Sequence, residues 1–360
     1  MSSSTSAPAL SSAHTSEERV VPVTQIFVVT LLALAMASYF WLDSRYPALL
    51  KKLHAGHSVK VSAPITFDAV LPVQPSMPLP VRIARTTGNW LYANRIGMSF
   101  GIGFGAALLT LLPMFTRRRF KSSAGNTLLG VVVGTPLGVC ANCVAPIGRG
   151  LAQAGASPNT VLATMISSPT LNIVVVAMSF SLFPLPVALT KLATVVALIA
   201  LVPWLVPKPV VDVVCEIPPD EGNASSAVAL FLKNLGKMIL VTVPLMIVAA
   251  LLGATAAELL PATSLAVHVT VLGIVAVALV GTFLPVPMAF DVAVAFVLMT
   301  RGVPLPYVVT LLCTLGVFSV YSALILGKTL SWKSAAKMYG TVVVLGILAG
   351  VGTGVWVRSF

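Results

Sequence analysis

The stretch Val133–Asn172, VGTPLGVCANCVAPIGRGLAQAGASPNTVLATMISSPTLN, limits what this chain can become. It lies within strongly apolar sequence, yet holds four prolines, five glycines, Arg149 and a Cys-x-x-Cys pair. In a bilayer every backbone N–H and C=O needs a partner, so a broken helix survives only where protein covers it or a cavity adjoins it. The stretch therefore reads as the working part of a membrane transporter, held by the rest of the chain. Composition agrees: 57% of residues are hydrophobic and 9% charged, with a mean hydropathy of +0.99. A soluble domain carries about a quarter charged residues. The net charge of +12 sits in short clusters beside apolar spans, as topology signals do, without the aromatic interleaving of a nucleic-acid groove. Nucleic-acid binding is excluded on that ground. Four cysteines do not form a disulfide framework.

Along the chain, residues 1–22 read as a disordered Ser/Ala/Thr-rich tail and 23–42 as a transmembrane anchor about twenty residues long. Ala35-Met36-Ala37 loosely resembles a signal cleavage site, but the acidic flank and the length favour a retained anchor. Residues 43–90, polar and proline-rich, read as an extramembrane segment, with a short helix near 47–53 and an extended piece near 59–70. His54 and His57 lie there without a third metal ligand nearby and read as solvated surface. Residues 91–206 form a first transmembrane unit, 207–237 a polar connector and 238–360 a second unit. The fold class expected is all-α and polytopic, with about nine transmembrane helices. Val144–Ala154 and Met288–Thr300 are too short to span, at ~1.5 Å per residue against ~30 Å of hydrocarbon. Asn159–Phe183 reads as a span interrupted at Pro169, whereas Leu305–Leu326 reads as one span.

A shift of 147 residues lays Val133-Gly134-Thr135 on Val280-Gly281-Thr282, and Gly155 on Gly302. That register reads as an internal duplication. With the short pieces as re-entrant arms, each unit crosses an odd number of times and the halves are inverted. Residues 117–121 and the Lys328/Lys333/Lys337 group then share the cytoplasmic side. Secondary transporters commonly place solute sites where broken helices of inverted repeats meet.

The chemistry-bearing groups follow from that frame. Cys140 and Cys143 share one face of a helical turn and suit a soft metal or metalloid ion, or a dithiol–disulfide couple; packing is the plain alternative. Asp291 is an intramembrane carboxylate, fit to bind a proton or cationic solute or to partner Arg149 or Arg301. Arg149 either draws an anionic solute or snorkels to the interface. Asn142, Pro146, Ser167, Ser168, Asn172, Thr135 and Thr282 lie near the breaks and suit a lining role. His268 reads as interfacial. No Walker, GxSxG or HExxH motif occurs, so ATP-driven transport by this chain alone is not expected; the chain reads as a transporter rather than an enzyme, and no cofactor is called for.

Pro136-Leu-Gly-Val-Cys140-Ala-Asn-Cys143-Val-Ala-Pro146, Gly155-Ala-Ser157 and Ile166-Ser-Ser-Pro169-Thr-Leu-Asn172 resemble the ArsP-type predicted permeases, a family that includes organoarsenical efflux permeases. The resemblance covers about residues 90–355. The family pattern runs Cys-Ser-Cys-Gly-x-x-Pro. Anchored on Pro146, Cys140 matches its first cysteine, Asn142 stands at the second and Cys143 at the glycine, so the pair is displaced. The resemblance implies a multi-pass permease of the inner (plasma) membrane of a bacterium, moving a small-molecule or metalloid solute; a homo-oligomer is left open. Two other classes compete. One is a thiol–disulfide electron relay through Cys140 and Cys143. The other is a membrane subunit anchoring a partner through residues 43–90.

Overall fold

The computed structural model describes residues 23–47, 50, 70–114, 122–206, 224–259 and 269–358. The tail, His54 and His57, the 117–121 basic cluster, Cys215, His268 and most of the 207–237 connector lie outside the described residues. So do the helix and extended piece expected within 47–70, apart from a few residues at their ends.

Thirteen α-helices and no strand occur among the described residues. They are α1 (Val23–Phe40, continued by a π turn Trp41–Arg45), α2 (Leu79–Leu111), α3 (Ser123–Leu137), α4 (Ala141–Gln153), α5 (Pro158–Thr170), α6 (Ile173–Leu182) and α7 (Leu185–Leu205). The second half comprises α8 (Ala224–Leu259), α9 (Val271–Phe283), α10 (Phe290–Thr300), α11 (Leu305–Thr314), α12 (Val320–Thr329) and α13 (Trp332–Arg358). The protein is an all-α, polytopic membrane protein. Five helices, α1 with its π turn, α2, α7, α8 and α13, are long and apolar enough to cross a bilayer. A sixth span is made if α5 and α6, bent by 44° at their break, count as one. The nine crossings expected from the sequence included apolar pieces that the chain breaks into shorter helices.

Local chemistry explains where helices start and stop. Ser157 caps α5 by accepting from Thr160 N, Asn172 caps α6 by accepting from Val175 N, and Ser319 caps α12 by accepting from Ser322 N. Gly138, with φ of 58°, ends α3 in the left-handed region where a side chain is disfavoured. The Leu305–Leu326 stretch is two helices, α11 and α12, separated at Gly316, whose φ is 76°.

Two helices are longer than hydropathy suggested, because their polar residues find partners. α2 begins at Leu79, within the segment expected to lie wholly outside: Arg82 pairs with Glu258, Arg85 donates to Pro72 O, and Asn89 binds the backbone of Leu71. α8 begins at Ala224 rather than near Met238; Gln25 donates to Ser226 and Asn234 to Thr110, which tie its first turns to α1 and α2.

Helix starts recur at one interval. Pro158, Ile173 and Leu185 open α5, α6 and α7, and Leu305, Val320 and Trp332, each 147 residues later, open α11, α12 and α13. Gly155 and Gly302, also 147 apart, both have φ of 79°. Packing repeats too. Gly134 on α3 lies against Thr164 and Ser167 of α5, and Gly281 on α9 lies against Leu311 and Thr314 of α11 at the same offset. Small residues at these points let the helices close together, which is how apolar helices gain contact in a membrane. The central short helices cross between halves: α4 packs on α12, while α10 packs on α6.

Candidate functional site

The chain breaks at 138–140 and at 284–289 leave carbonyls without helical partners, and side chains from elsewhere in the fold satisfy them. Asn142 Nδ2 donates to Val286 O (3.0 Å), and Trp90 Nε1 donates to Pro285 O (2.5 Å). In the other direction, Ser319 Oγ donates to Asn142 Oδ1 (2.8 Å) and Ser322 Oγ to Ala141 O (2.7 Å). Ser168 Oγ accepts from Val139 N (3.3 Å). A buried unpaired carbonyl or amide costs about 1–3 kcal/mol. This mesh therefore fixes the two broken regions against each other in one register.

Cys140 and Cys143 lie at this junction, both buried, joined as a disulfide between Cα atoms 5.2 Å apart. Cys140 Sγ also caps α4 by accepting from Cys143 N (3.2 Å), and lies 3.8 Å from Asn94 Oδ1. The glycines of α2 make room: Gly97 abuts the Cys143 sulfur, Gly101 the Cys143 carbonyl and Gly105 the Pro146 carbonyl. Arg45 at the end of α1 reaches the same place, with Nη2 beside Gly97 and its guanidinium 4.5 Å above the Phe40 ring. Arg45 Nε has no hydrogen-bond partner among the described residues. Trp41 covers Gly138, so α1 closes one side of the break. No cluster of three or more His, Cys, Asp or Glu occurs among the described residues. A metal or metalloid held at Cys140 and Cys143 would need the reduced pair and few other donors.

The remaining expected residues divide. Pro146 packs within α4, and Ser167, fully buried against Gly134, lies 3.4 Å from Gly130 O. Asn172 caps α6 and also donates to Ser168 O (2.8 Å), so it works as a joint. Arg149 is half-buried, within electrostatic range of the buried Tyr321; its Nε and the Tyr321 hydroxyl both lack hydrogen-bond partners among the described residues. Asp291 pairs with neither Arg149 nor Arg301. Its carboxylate binds Lys191 Nζ at 2.5 Å, joining α10 to α7, and Arg301 is exposed at the far end of α10. The α11–α12 break touches both regions: Ser319 holds Asn142, and Gly316 abuts Asp291.

Sequence reasoning missed Lys191, Asn94, Ser319, Ser322, Arg45 and Tyr321. Lys191 carried a usable signal, a lone lysine inside an apolar helix, which the rule applied to Asp291 would have found.

Residues 108–355 match the model of the ArsP_1 family, described as predicted permeases, and that range covers well over half of the chain. The chain belongs to this permease family. It is also 26% identical to the UPF0718 protein YraQ of Escherichia coli (strain K12) over 257 residues, 69% of this chain and 74% of that protein. No solved structure matches. The permease match begins inside α2, so α1, which brings Trp41 and Arg45 to the cysteine break, lies outside it.

Proposed function

We propose that this permease is a secondary transporter whose solute site lies where the broken helices of two inverted halves meet, around Cys140, Asn142 and Cys143. The observation that carries the reading is the reciprocal satisfaction of the two breaks: Asn142 holds Val286, while Ser319 and Ser322 hold Asn142 and Ala141. Irregular backbone inside a bilayer is tolerated where protein or a cavity receives it, and transporters place their sites there. The helix starts that recur at 147 residues support the duplication, and the cross-packing of α4 on α12 and α10 on α6 supports an exchange between halves.

The solute in this reading is a small soft metalloid or thiol-reactive species, exported across the inner membrane. Thiolates favour such ions over hard cations, and the Arg45 guanidinium lies in the same place, beside Gly97 and the Cys143 sulfur. The test is uptake of phenylarsine oxide, a trivalent organoarsenical, into everted vesicles holding the full chain. Wild type is expected to accumulate it after mild reduction, and Cys140→Ser/Cys143→Ser to fall to the level of empty vesicles while still inserting. Wild-type vesicles that take up none sink the metalloid assignment.

The disulfide favours a second reading, a thiol–disulfide relay. Cys313, the remaining described cysteine, lies apart beside Thr194, Lys191 and Asp291, so both relay thiols would belong to one half. Alkylation of the reduced pair separates the two: labelling from both membrane faces without arsenical transport supports the relay.

A further inference from the structure

The Lys191–Asp291 pair is buried, with side chains 5% and 8% exposed, and bridges residues 100 apart in sequence on helices of opposite halves. The 147-residue register supplies an internal control. The residue corresponding to Asp291 is Val144, and the one corresponding to Lys191 is Met338; both are fully buried in a single hydrophobic cluster. The two counterpart positions, Val144 in the first half and Met338 in the second, are therefore filled with apolar side chains. Removing two charges from water is expensive, and well-packed apolar residues in place of a buried pair are often neutral or stabilising. The pair is thus not what the fold requires at these positions. Charges kept inside a membrane at such cost mark ion and proton pathways.

We propose that Lys191 and Asp291 form the site that takes up and releases the proton coupled to transport, an inference that rests on the secondary-transporter reading above. In the described state the ammonium and carboxylate hold α7 to α10. A proton arriving from water adds to the Asp291 carboxylate, giving a neutral acid, and Lys191 keeps its charge. The attraction is then lost and the halves separate; release of the proton restores the pair. Separation without the proton would leave two buried charges unpaired; with it only the Lys191 ammonium remains, on the side of the crevice that it lines, so movement is tied to the proton.

The surroundings fit. A crevice of about 10 Å³ on the lysine side of the pair, lined by Lys191, Thr170, Ser179 and five apolar residues of α6 and α7, is at the lower bound of room for one water molecule. Gly316, with φ of 76°, faces the Asp291 carboxyl from the α11–α12 break, a joint able to change shape beside it. Of the other titratable groups, Cys313 on α11 faces both members of the pair, with Thr194 bonded to it. Helices α3, α5 and α6 carry no ionisable side chain. Tyr307 on α11 binds Thr270 N instead, Arg301 ends α10, and Lys333 and Lys337 on α13 are exposed.

The test is an infrared difference titration of the full chain in lipid vesicles, with the proton alone as probe. Wild type is expected to show a carboxylic-acid stretching band that grows on acidification and is lost in Asp291→Asn. If that variant fails to insert, Asp291→Val/Lys191→Met, which installs the counterpart residues, serves in its place and is also expected to lack the band. A band unchanged in either variant overturns the proposal. The same vesicles are then given phenylarsine oxide under an imposed pH gradient. Accumulation in wild type that falls to the level of empty vesicles in Asp291→Asn supports the site. Gradient-driven accumulation equal in both overturns it and leaves the transporter reading standing. A wild-type band that Asp291→Asn abolishes, without any transport, keeps the proton site and overturns the arsenical assignment.

Discussion

The junction of α4 with α12 and the junction of α10 with α6 occupy corresponding places in the two halves, yet they are built from different chemistry. At the first, neutral groups do the holding: Asn142, Ser319 and Ser322 exchange hydrogen bonds around the cysteine pair, and Val144 packs in hydrocarbon. Near the second, the position of Val144 is taken by Asp291, which pairs with Lys191. Gly155 and Gly302 share a φ of 79° while the side chains at the two junctions differ. The two junctions thus differ in kind, one held by neutral hydrogen bonds around the cysteine pair and one standing beside a buried ion pair.

The largest expected effect tests that difference directly. Asp291→Ala or Lys191→Ala alone strands a buried charge and is expected to destabilise the protein by about 3–5 kcal/mol. Asp291→Val/Lys191→Met, which installs the residues found at the two counterpart positions, is expected to recover most of that loss. Thermal unfolding of purified protein in detergent reads both. A double variant as unstable as either single one breaks the comparison, because the two places would then not tolerate the same filling.

Next come the close approaches shared by both halves. A Cβ at Gly134 would overlap Ser167 and Thr164, and one at Gly281 would overlap Thr314. Gly134→Val and Gly281→Val are each expected to cost about 1–3 kcal/mol by overpacking, measured in the same unfolding experiment. Gly236 on α8 has nothing within 4 Å of its Cβ position, so Gly236→Ala is expected to stabilise by roughly 0.5–1 kcal/mol. A large cost at Gly134 with none at Gly281 would show that the two helix pairs are not packed alike.

These contrasts also show what the sequence could and could not convey. Hydropathy located α1, α7 and the α5–α6 break, because apolar length and a proline-asparagine joint are local signals. The 147-residue register was read from Gly134-Thr135 and Gly281-Thr282, and in the structure each of these glycines lies close against a neighbouring helix at the same offset. The α11–α12 break was not, since Gly316 sits among apolar residues and its φ of 76° depends on what surrounds it. The early start of α2 was hidden because Arg82 and Asn89 look incompatible with a membrane helix until Glu258 and Leu71 meet them. Asp291 stood out in the sequence, but its partner lies 100 residues away, and no local pattern links them.

At the neutral junction, Asn142→Ala removes the donor to Val286 O and the acceptor from Ser319 in one step. Leaving such groups unpaired in the interior costs about 1–3 kcal/mol. Asn142→Ala is therefore expected to lower the unfolding midpoint and to make Cys140 and Cys143, after reduction, react faster with a small maleimide, because the break they sit in loosens. Labelling that stays as slow as in wild type would mean that α2 and α1, through Gly97, Gly101 and Trp41, hold the cysteines without help from the second half.

The smallest effect is expected where the halves meet near solvent. Arg82 on α2 and Glu258 on α8 form an ion pair joined by Thr86, but their side chains are 29% and 12% exposed, so water screens part of the attraction. Exposed pairs contribute about 0–1 kcal/mol, and Arg82→Gln at this part-buried pair is expected to cost about 1 kcal/mol, the upper end of that range. The pairing still restrains how α2 and α8 slide past each other, and α2 carries the glycines that seat Cys143. If Arg82→Gln leaves the unfolding midpoint near that of wild type but changes the rate of cysteine labelling, the pair acts on motion between the halves rather than on stability. The charged contact inside the membrane and the one at its edge would then share a role at very different energetic cost.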